Sequence, residues 1–359
     1  MSQERPLVSL IVIHYGETRL LGACLSSLKF IKYPSVEVLI ISNSPRDAEL
    51  TALMTKHPDN KFIFSKTNLG YAGGCNKGIE LASGKYLFIL NNDVVLDSDC
   101  LSPLVRASEL DREIALAQPK ILSITEKNRF EYSGAAGGLI DHLGYPFAAG
   151  RIFNDVEYNK AQYEQTTEIF WASGAALFAR KSVIIEAGSM DADFFAYMEE
   201  IDLAWRVHLL GYKIIYVPEA RIFHLGSAGM DRKSLNHLYL NHRNNLVMVL
   251  KNYSAATLLR VLPQRIILEA ATMAYALFKE NPLRAKAIAK AALNVTTNIL
   301  SILRERKKVQ AKRVVHDREI QKKMYQGSIA VEYFLKKRKT LKEIPGVQQT
   351  PYFLLEKRK

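Results

Sequence analysis

With 359 residues, 48% of them hydrophobic, and a net charge of +13, the chain can bury a large core, which excludes disorder of the whole and allows one big domain or two ordinary ones. Its three cysteines, Cys24, Cys75 and Cys100, stand far apart with no C-x-x-C pair, which excludes a disulfide framework and a structural zinc site. The charge is a property of the tail: residues 301–359 carry 17 Lys and Arg against 6 Asp and Glu, so the body is nearly neutral and does not suit a nucleic-acid-binding core.

The polar start, Met1 to Pro6, lacks the basic flank, apolar stretch and cleavage site of a signal peptide. The longest apolar stretch, Ile266 to Phe278, is interrupted by Glu269 and falls short of the roughly 20 residues of a membrane span. A cytoplasmic protein without a transmembrane helix is therefore expected. From Leu7 the run Val-Ser-Leu-Ile-Val-Ile-His predicts a strand, and Arg19 to Phe30, with Leu20, Leu21, Cys24, Leu25 and Leu28 at helical spacing, predicts a helix. Val36 to Ile41 repeats the strand signal, Ala48 to Lys56 the helical one, and Lys61 to Ser65 gives a third strand. Asn68 to Gly78 reads as a glycine-rich turn running into a helix, followed by the strand Tyr86 to Leu90. Alternation of this kind predicts an α/β fold, a mostly parallel sheet flanked by helices. Glycines 134, 137, 138, 144 and 150 predict hairpins and loops; Phe170 to Ala179 predicts a further strand, with a helix from about Lys181. From about Ser254 the texture becomes helical and basic, which divides the chain into 1–253 and a helical extension, 254–359.

In an open α/β sheet, ligands bind beyond the carboxyl ends of the strands, and four stations there are candidates. Asn91-Asn92-Asp93 offers a carboxylate suited to a hard divalent cation on a diphosphate, or it is a simple turn. Asn68 to Gly78 lets backbone approach a ligand, or packs a helix closely on a strand. Phe194 to Arg206 carries Glu199, Glu200 and Asp202; Asp202 can pair with Arg206 four residues on, which leaves Glu200 unexplained, although acids at a helix start also suit the macrodipole. His224, ending the run from Tyr216, can ligate a metal, contact phosphate, or satisfy a local hydrogen bond.

In this order, Val8–Tyr15, Asn68–Ile79, Tyr86–Val94, Ser173–Ala175, Phe194–Arg206 and Val217–His224 resemble the family 2 glycosyltransferases, in particular the bacterial rhamnosyltransferase-like branch. The resemblance spans 7–252. It implies a GT-A nucleotide-diphospho-sugar transferase fold and an inverting, metal-dependent enzyme that moves a sugar from a nucleotide-diphosphate donor to an acceptor hydroxyl in surface polysaccharide or glycolipid assembly. It further implies Mg²⁺ or Mn²⁺ at Asp93 and His224, and Glu200 as the base, beside Glu199 and Asp202. His14, Asn43, Asn68, Gly70, Asn76, Asn91 and Asn92 fall on the donor side, and Ser173 and Gly174 on the acceptor side. The chain departs from the family pattern at Asn91, often an acid, at Glu200, usually Asp, and at Ile41–Ser44, which lacks the common aspartate.

The basic part of the extension, 304–339, beside an Ala/Leu/Ile-rich part, 255–303, has two readings: a surface that docks the inner face of a membrane bearing a lipid-linked saccharide acceptor, or a solvated helical cap. Nucleic acid is not an expected partner, since aromatic residues are sparse among the basic ones. The alternative to an enzyme is a noncatalytic nucleotide-sugar-binding or scaffold protein on the same fold.

Overall fold

A computed structural model of the chain describes residues 5–226, 234–280 and 282–347. The first half alternates β1 (Val8–His14), α1 (Thr18–Leu28), β2 (Val36–Ser42), α2 (Ala48–Lys56), β3 (Lys61–Phe64), α3 (Gly70–Leu81) and β4 (Tyr86–Asn91), then β5 (Val94–Leu96), α4 (Leu101–Leu110) and β6 (Ile114–Ser123). Short strands follow: β7 (Gly138–Ile140), β8 (Pro146–Ala148), β9 (Arg151–Ile152), β10 (Asp155–Val156) and β11 (Thr167–Glu168). Next come β12 (Ala176–Arg180), α5 (Lys181–Glu186), α6 (Glu199–Leu209) and β13 (Lys213–His224). The chain closes with α7 (Leu235–Asn252), α8 (Ala255–Tyr275), α9 (Pro282–Thr297), α10 (Ile299–Lys312) and α11 (Asp317–Lys322).

The main sheet runs β11-β13-β6-β12-β4-β1-β2-β3, with β5 paired to β13. Strands β3, β2, β1 and β4 are parallel; β12 enters antiparallel between β4 and β6. Residues 138–156, where hairpins were expected, supply a separate four-stranded sheet, β10-β9-β8-β7. Val8, Leu10 and Val12 of β1 face one apolar cluster with Leu21 and Leu25 of α1 and Leu104 of α4. Ile11 and Ile13 face the other, under α3. With helices on both sides every residue of β1 is buried, which is why its sequence reads as an unbroken apolar run and not as an alternation.

The stretch expected as a turn running into a helix does so, and the helix begins early in it, at Gly70. A Cβ at Gly78 would collide with Ile11 Cγ2, and one at Gly74 would stand 3.3 Å from Ile13. These glycines bring α3 down onto β1, which is the packing reading of the motif.

The C-terminal helices pack into the core of the preceding segment. Ile320, Met324, Ile329, Leu341 and Ile344 belong to the same apolar cluster as Ile140, Leu143 and Trp205. Several tail cations are used internally: Arg306 donates to Leu250 O and Tyr253 O, each at 2.5 Å, Arg313 to Asn252 O at 2.7 Å, and Lys312 to Glu186 O at 2.7 Å.

Candidate active site

The first cluster forms where β4, β5 and β13 meet. Antiparallel pairing sets Val94 opposite His224, so the turn Asn92–Asp93 just before β5 lies against the end of β13. His224 Nε2 stands 2.9 Å from Asp93 Oδ1 and 3.3 Å from Asn91 Nδ2. Its other ring nitrogen, Nδ1, is 2.8 Å from Glu131 Oε2. Glu131 arrives because the chain after β6 doubles back: its N–H donates to Ile121 O at 3.1 Å, and its carboxylate accepts Ser133 N–H at 2.6 Å. Gly226, at φ +72°, has no room for a side chain against Glu131 Oε1. Burial alone would lower the His224 pKa; hydrogen bonds with Asp93 and Glu131 outweigh it and push the value up to about 10. Asn92 Nδ2 extends the chain of contacts to His14 Nδ1 at 3.1 Å. His14 is fully buried, its Nε2 has no partner, and burial depresses its pKa to about 4.

With a cation in place of the proton between His224 Nε2 and Asp93, this donor set fits a divalent ion. Two ligand atoms of one octahedral ion at about 2.0–2.1 Å stand about 3 Å apart, the separation of Asp93 Oδ1 and His224 Nε2. A carboxylate on the far ring nitrogen of a ligating histidine fixes its tautomer and orientation, the position Glu131 takes. Among the described residues no group of three His, Cys, Asp or Glu side chains placed to hold a metal ion forms.

The second cluster lies at the start of α6. Phe195 sits at φ +62°, ψ −61°, and Ala196 N–H donates to Phe194 O at 2.7 Å, closing a three-residue γ-turn of the strained hand. Tyr197 and Met198 follow at φ +71° each. Three non-glycine residues in unfavourable conformations directly before Glu199 and Glu200 mark a loop held by its surroundings. Two holders are visible. Gly70, at φ +69°, leaves room for Phe195 O where any Cβ would clash, and Ala72 N–H donates to that oxygen at 3.2 Å. From α7, the Asn244 side-chain amide donates to Phe194 O, Ala196 O and Tyr197 O at 2.9, 2.9 and 2.8 Å.

That loop delivers Glu200 with Oε2 buried and unpartnered, and Glu199, wholly buried, likewise. Burial raises the Glu200 pKa, against backbone hydrogen bonds that include one from Gly174. For Glu199, burial and then the neighbouring Glu200 charge raise it well above the carboxylate range. Asp202 differs. Burial would raise its pKa, but Lys251 and Arg206 hold it low; its oxygens take Arg206 Nε at 2.9 Å, Lys251 Nζ at 3.1 Å and Asn252 Nδ2 at 2.9 Å. The i, i+4 pairing read in the sequence is present, and Asp202 anchors α6 to α7.

The segment 173–175 joins the two clusters. Ala175 O accepts Asn91 N–H at 3.2 Å, while Gly174 O accepts the Tyr71 hydroxyl and its neighbourhood includes Glu200. Ser173 Oγ is spent on Ser133 O. Asn76 exchanges two bonds with Met190, 2.7 and 2.9 Å. Asn43 ties Gly70 O and Leu69 N, and Asn68 caps Gly70 N at 2.9 Å. Thus Asn91, Asn92, Asp93, His14 and His224 converge, and Glu199, Glu200 and Gly174 converge beside them. Asn43, Asn68 and Asn76 brace the frame around α3. Glu131 and Asn244 were not among the sequence candidates: neither belongs to a motif, and their partners lie 93 and about 50 positions away.

The Glycosyl transferase family 2 model matches residues 9–184, a stretch that includes Asp93 and stops before Glu200 and His224. The poly-beta-1,6-N-acetyl-D-glucosamine synthase of Staphylococcus epidermidis is 28% identical over 215 residues, 59% of this chain and 48% of that protein. The enzyme of that name from Staphylococcus aureus strain COL is 26% identical over the same shares. The chain thus spans about half the length of these curated relatives. Among solved structures, that of GalNAc-T7 with UDP, GalNAc and Mn²⁺ superposes with a TM-score of 0.52 at 15% identity, over 67% of this chain and 49% of that one. The architecture is the GT-A glycosyltransferase fold with a helical C-terminal region, and these matches support a family 2 glycosyltransferase.

Proposed function

We propose, on the premise of that family support, that the chain is an inverting, metal-dependent glycosyltransferase that moves a sugar from a nucleoside-diphosphate donor to a hydroxyl of a saccharide acceptor during polysaccharide or glycolipid assembly. The observation that carries the reading is the juxtaposition, across 173–175, of a cation-fitted pair, Asp93 and His224, with the buried, unpartnered Glu200 carboxyl oxygen. Relatives named as polysaccharide synthases support the product class.

Glu200 accepts the acceptor hydroxyl proton as that oxygen attacks the anomeric carbon. The bond to the diphosphate breaks on the opposite face, so the nucleoside diphosphate leaves and the configuration inverts. The raised Glu200 pKa suits this task, because a base nearer the operating pH takes a proton more effectively. Asp93 and His224 would hold Mg²⁺ or Mn²⁺, whose charge offsets the negative charge growing on the departing diphosphate. Glu131 keeps His224 turned with Nε2 toward Asp93. Rhamnose or another hexose as the transferred sugar fits the motif resemblance.

The test is release of free nucleoside diphosphate when purified protein, Mn²⁺, saccharide acceptors and a panel of nucleotide sugars are combined. Acceptor-dependent release with one donor is expected. Donor binding without release across the panel contradicts the reading and favours a noncatalytic binding protein.

A further inference from the structure

Helix α8 has one side built into the protein. Val261 and Arg265 are buried there; Arg265 donates to Leu143 O at 3.2 Å and to Glu269 Oε1 at 2.9 Å, and Glu269 Oε2 pairs with His242 Nδ1 at 3.0 Å. The opposite side is exposed and apolar. Leu259, Ile266 and Ile267 are 79, 61 and 67% exposed, Tyr275 at the end of the helix is 54% exposed, and Leu277 and Phe278 after it are 56 and 82% exposed. Positions 259, 266, 267, 270 and 274 share one face at helical spacing, and Ala270 and Ala274 are exposed as well. A continuous apolar face of this length is not left to water without a partner.

Charge identifies the partner. The acid of α8, Glu269, is turned inward, and residues 276–304 contain Lys279, Arg284, Lys286, Lys290 and Arg304 against a single acid, Glu280. Arg260, Lys286, Lys290 and Arg304 are all exposed. In a two-fold dimer through this face such cations would meet their own copies with only Glu280 of each copy to receive them. An exposed apolar stripe within a helical segment whose charge is mostly basic is the pattern of a helix lying in the headgroup layer of an anionic bilayer. It does not cross: Arg260, Gln264, Arg265 and Glu269 interrupt it, and no helix among the described residues is long and apolar enough to span.

We infer that the outer face of α8 and the turn after it dock on an anionic lipid surface. The docking element is therefore α8, upstream of the basic 304–339 segment, part of whose charge is bound internally. The inference is independent of the transferase reading.

The experiment floats the full-length protein with vesicles of phosphatidylcholine alone or mixed with phosphatidylglycerol. Wild type should float with the mixed vesicles, and Ile266→Ser with Phe278→Ser should bind them at least about tenfold more weakly at an unchanged melting temperature. Lys286→Gln with Lys290→Gln should weaken binding to mixed vesicles and narrow the difference between the two lipids. Three results overturn the inference: no flotation of the wild type, equal flotation of the serine variant, or a vesicle-free dimer that the serine variant converts to monomer.

Discussion

Replacing Asn244 by Ala removes the amide that donates to Phe194 O, Ala196 O and Tyr197 O. Phe195, Tyr197 and Met198, at φ +62°, +71° and +71°, each cost about 1–3 kcal/mol in these conformations. The two N–H groups of that amide, shared over three carbonyls, are worth about 1 kcal/mol each and offset only part of that; the Gly70 seat and the first turn of α6 supply the rest. Loss of the amide should therefore cost about 2–4 kcal/mol and let the loop relax, moving Glu200 relative to Asp93. A shift of about 1 Å in a catalytic group costs up to about 10²-fold. We expect Asn244→Ala to lower the melting temperature by roughly 5 °C and kcat by about 10–100-fold, with donor KM unchanged because Asn244 does not touch the Asp93–His224 cluster. Differential scanning fluorimetry and steady-state kinetics read both. A variant that keeps its melting temperature and a kcat within about twofold refutes the loop-clamp argument.

Gly78→Ala gains up to about 1 kcal/mol of helix propensity but drives a methyl into buried Ile11; the overpacking cost of about 1–3 kcal/mol should dominate and appear as a lower denaturation midpoint. Gly22→Ala, whose Cβ would meet only Leu53 at 3.6 Å, should be neutral or stabilising in the same titration. Because the Glu200 pKa is raised above 4.5 by burial, and the base works ionised, kcat should climb with pH through that elevated value; a rate flat down to pH 4.5 contradicts the assignment. Mn²⁺ affinity, read by electron paramagnetic resonance of the free ion, should be lost in Asp93→Ala and fall about 10–100-fold in Glu131→Gln.

The strands that carry the site were legible because both sheet faces are buried: Val8–His14 and Tyr86–Asn91 are apolar runs with a polar residue at the carboxyl end, and those ends hold His14, Asn91 and Asp93. Asn68 to Gly78 was legible as a turn running into a helix, but not where the helix starts, since Gly74 and Gly78 lie on the face of α3 that meets Ile13 and Ile11. Asp202 was legible both as a candidate acid and as a partner of Arg206, but its ties to Lys251 and Asn252 depend on a helix about 50 residues away. Glu131 was not legible at all: it has no periodic neighbours, and its position follows from a backbone bond to Ile121. The loose period of the apolar positions after Arg304 has a physical cause, since Ile320, Met324 and Ile329 enter the core one at a time from short elements.

The central claim is that Glu200 takes the acceptor proton while Asp93 and His224 serve the diphosphate. Donor binding by calorimetry and turnover by nucleoside-diphosphate release, measured side by side on Glu200→Gln, test it most directly. The account predicts unchanged donor affinity with transfer reduced by about 10²–10⁴-fold; near-normal turnover in that variant contradicts it.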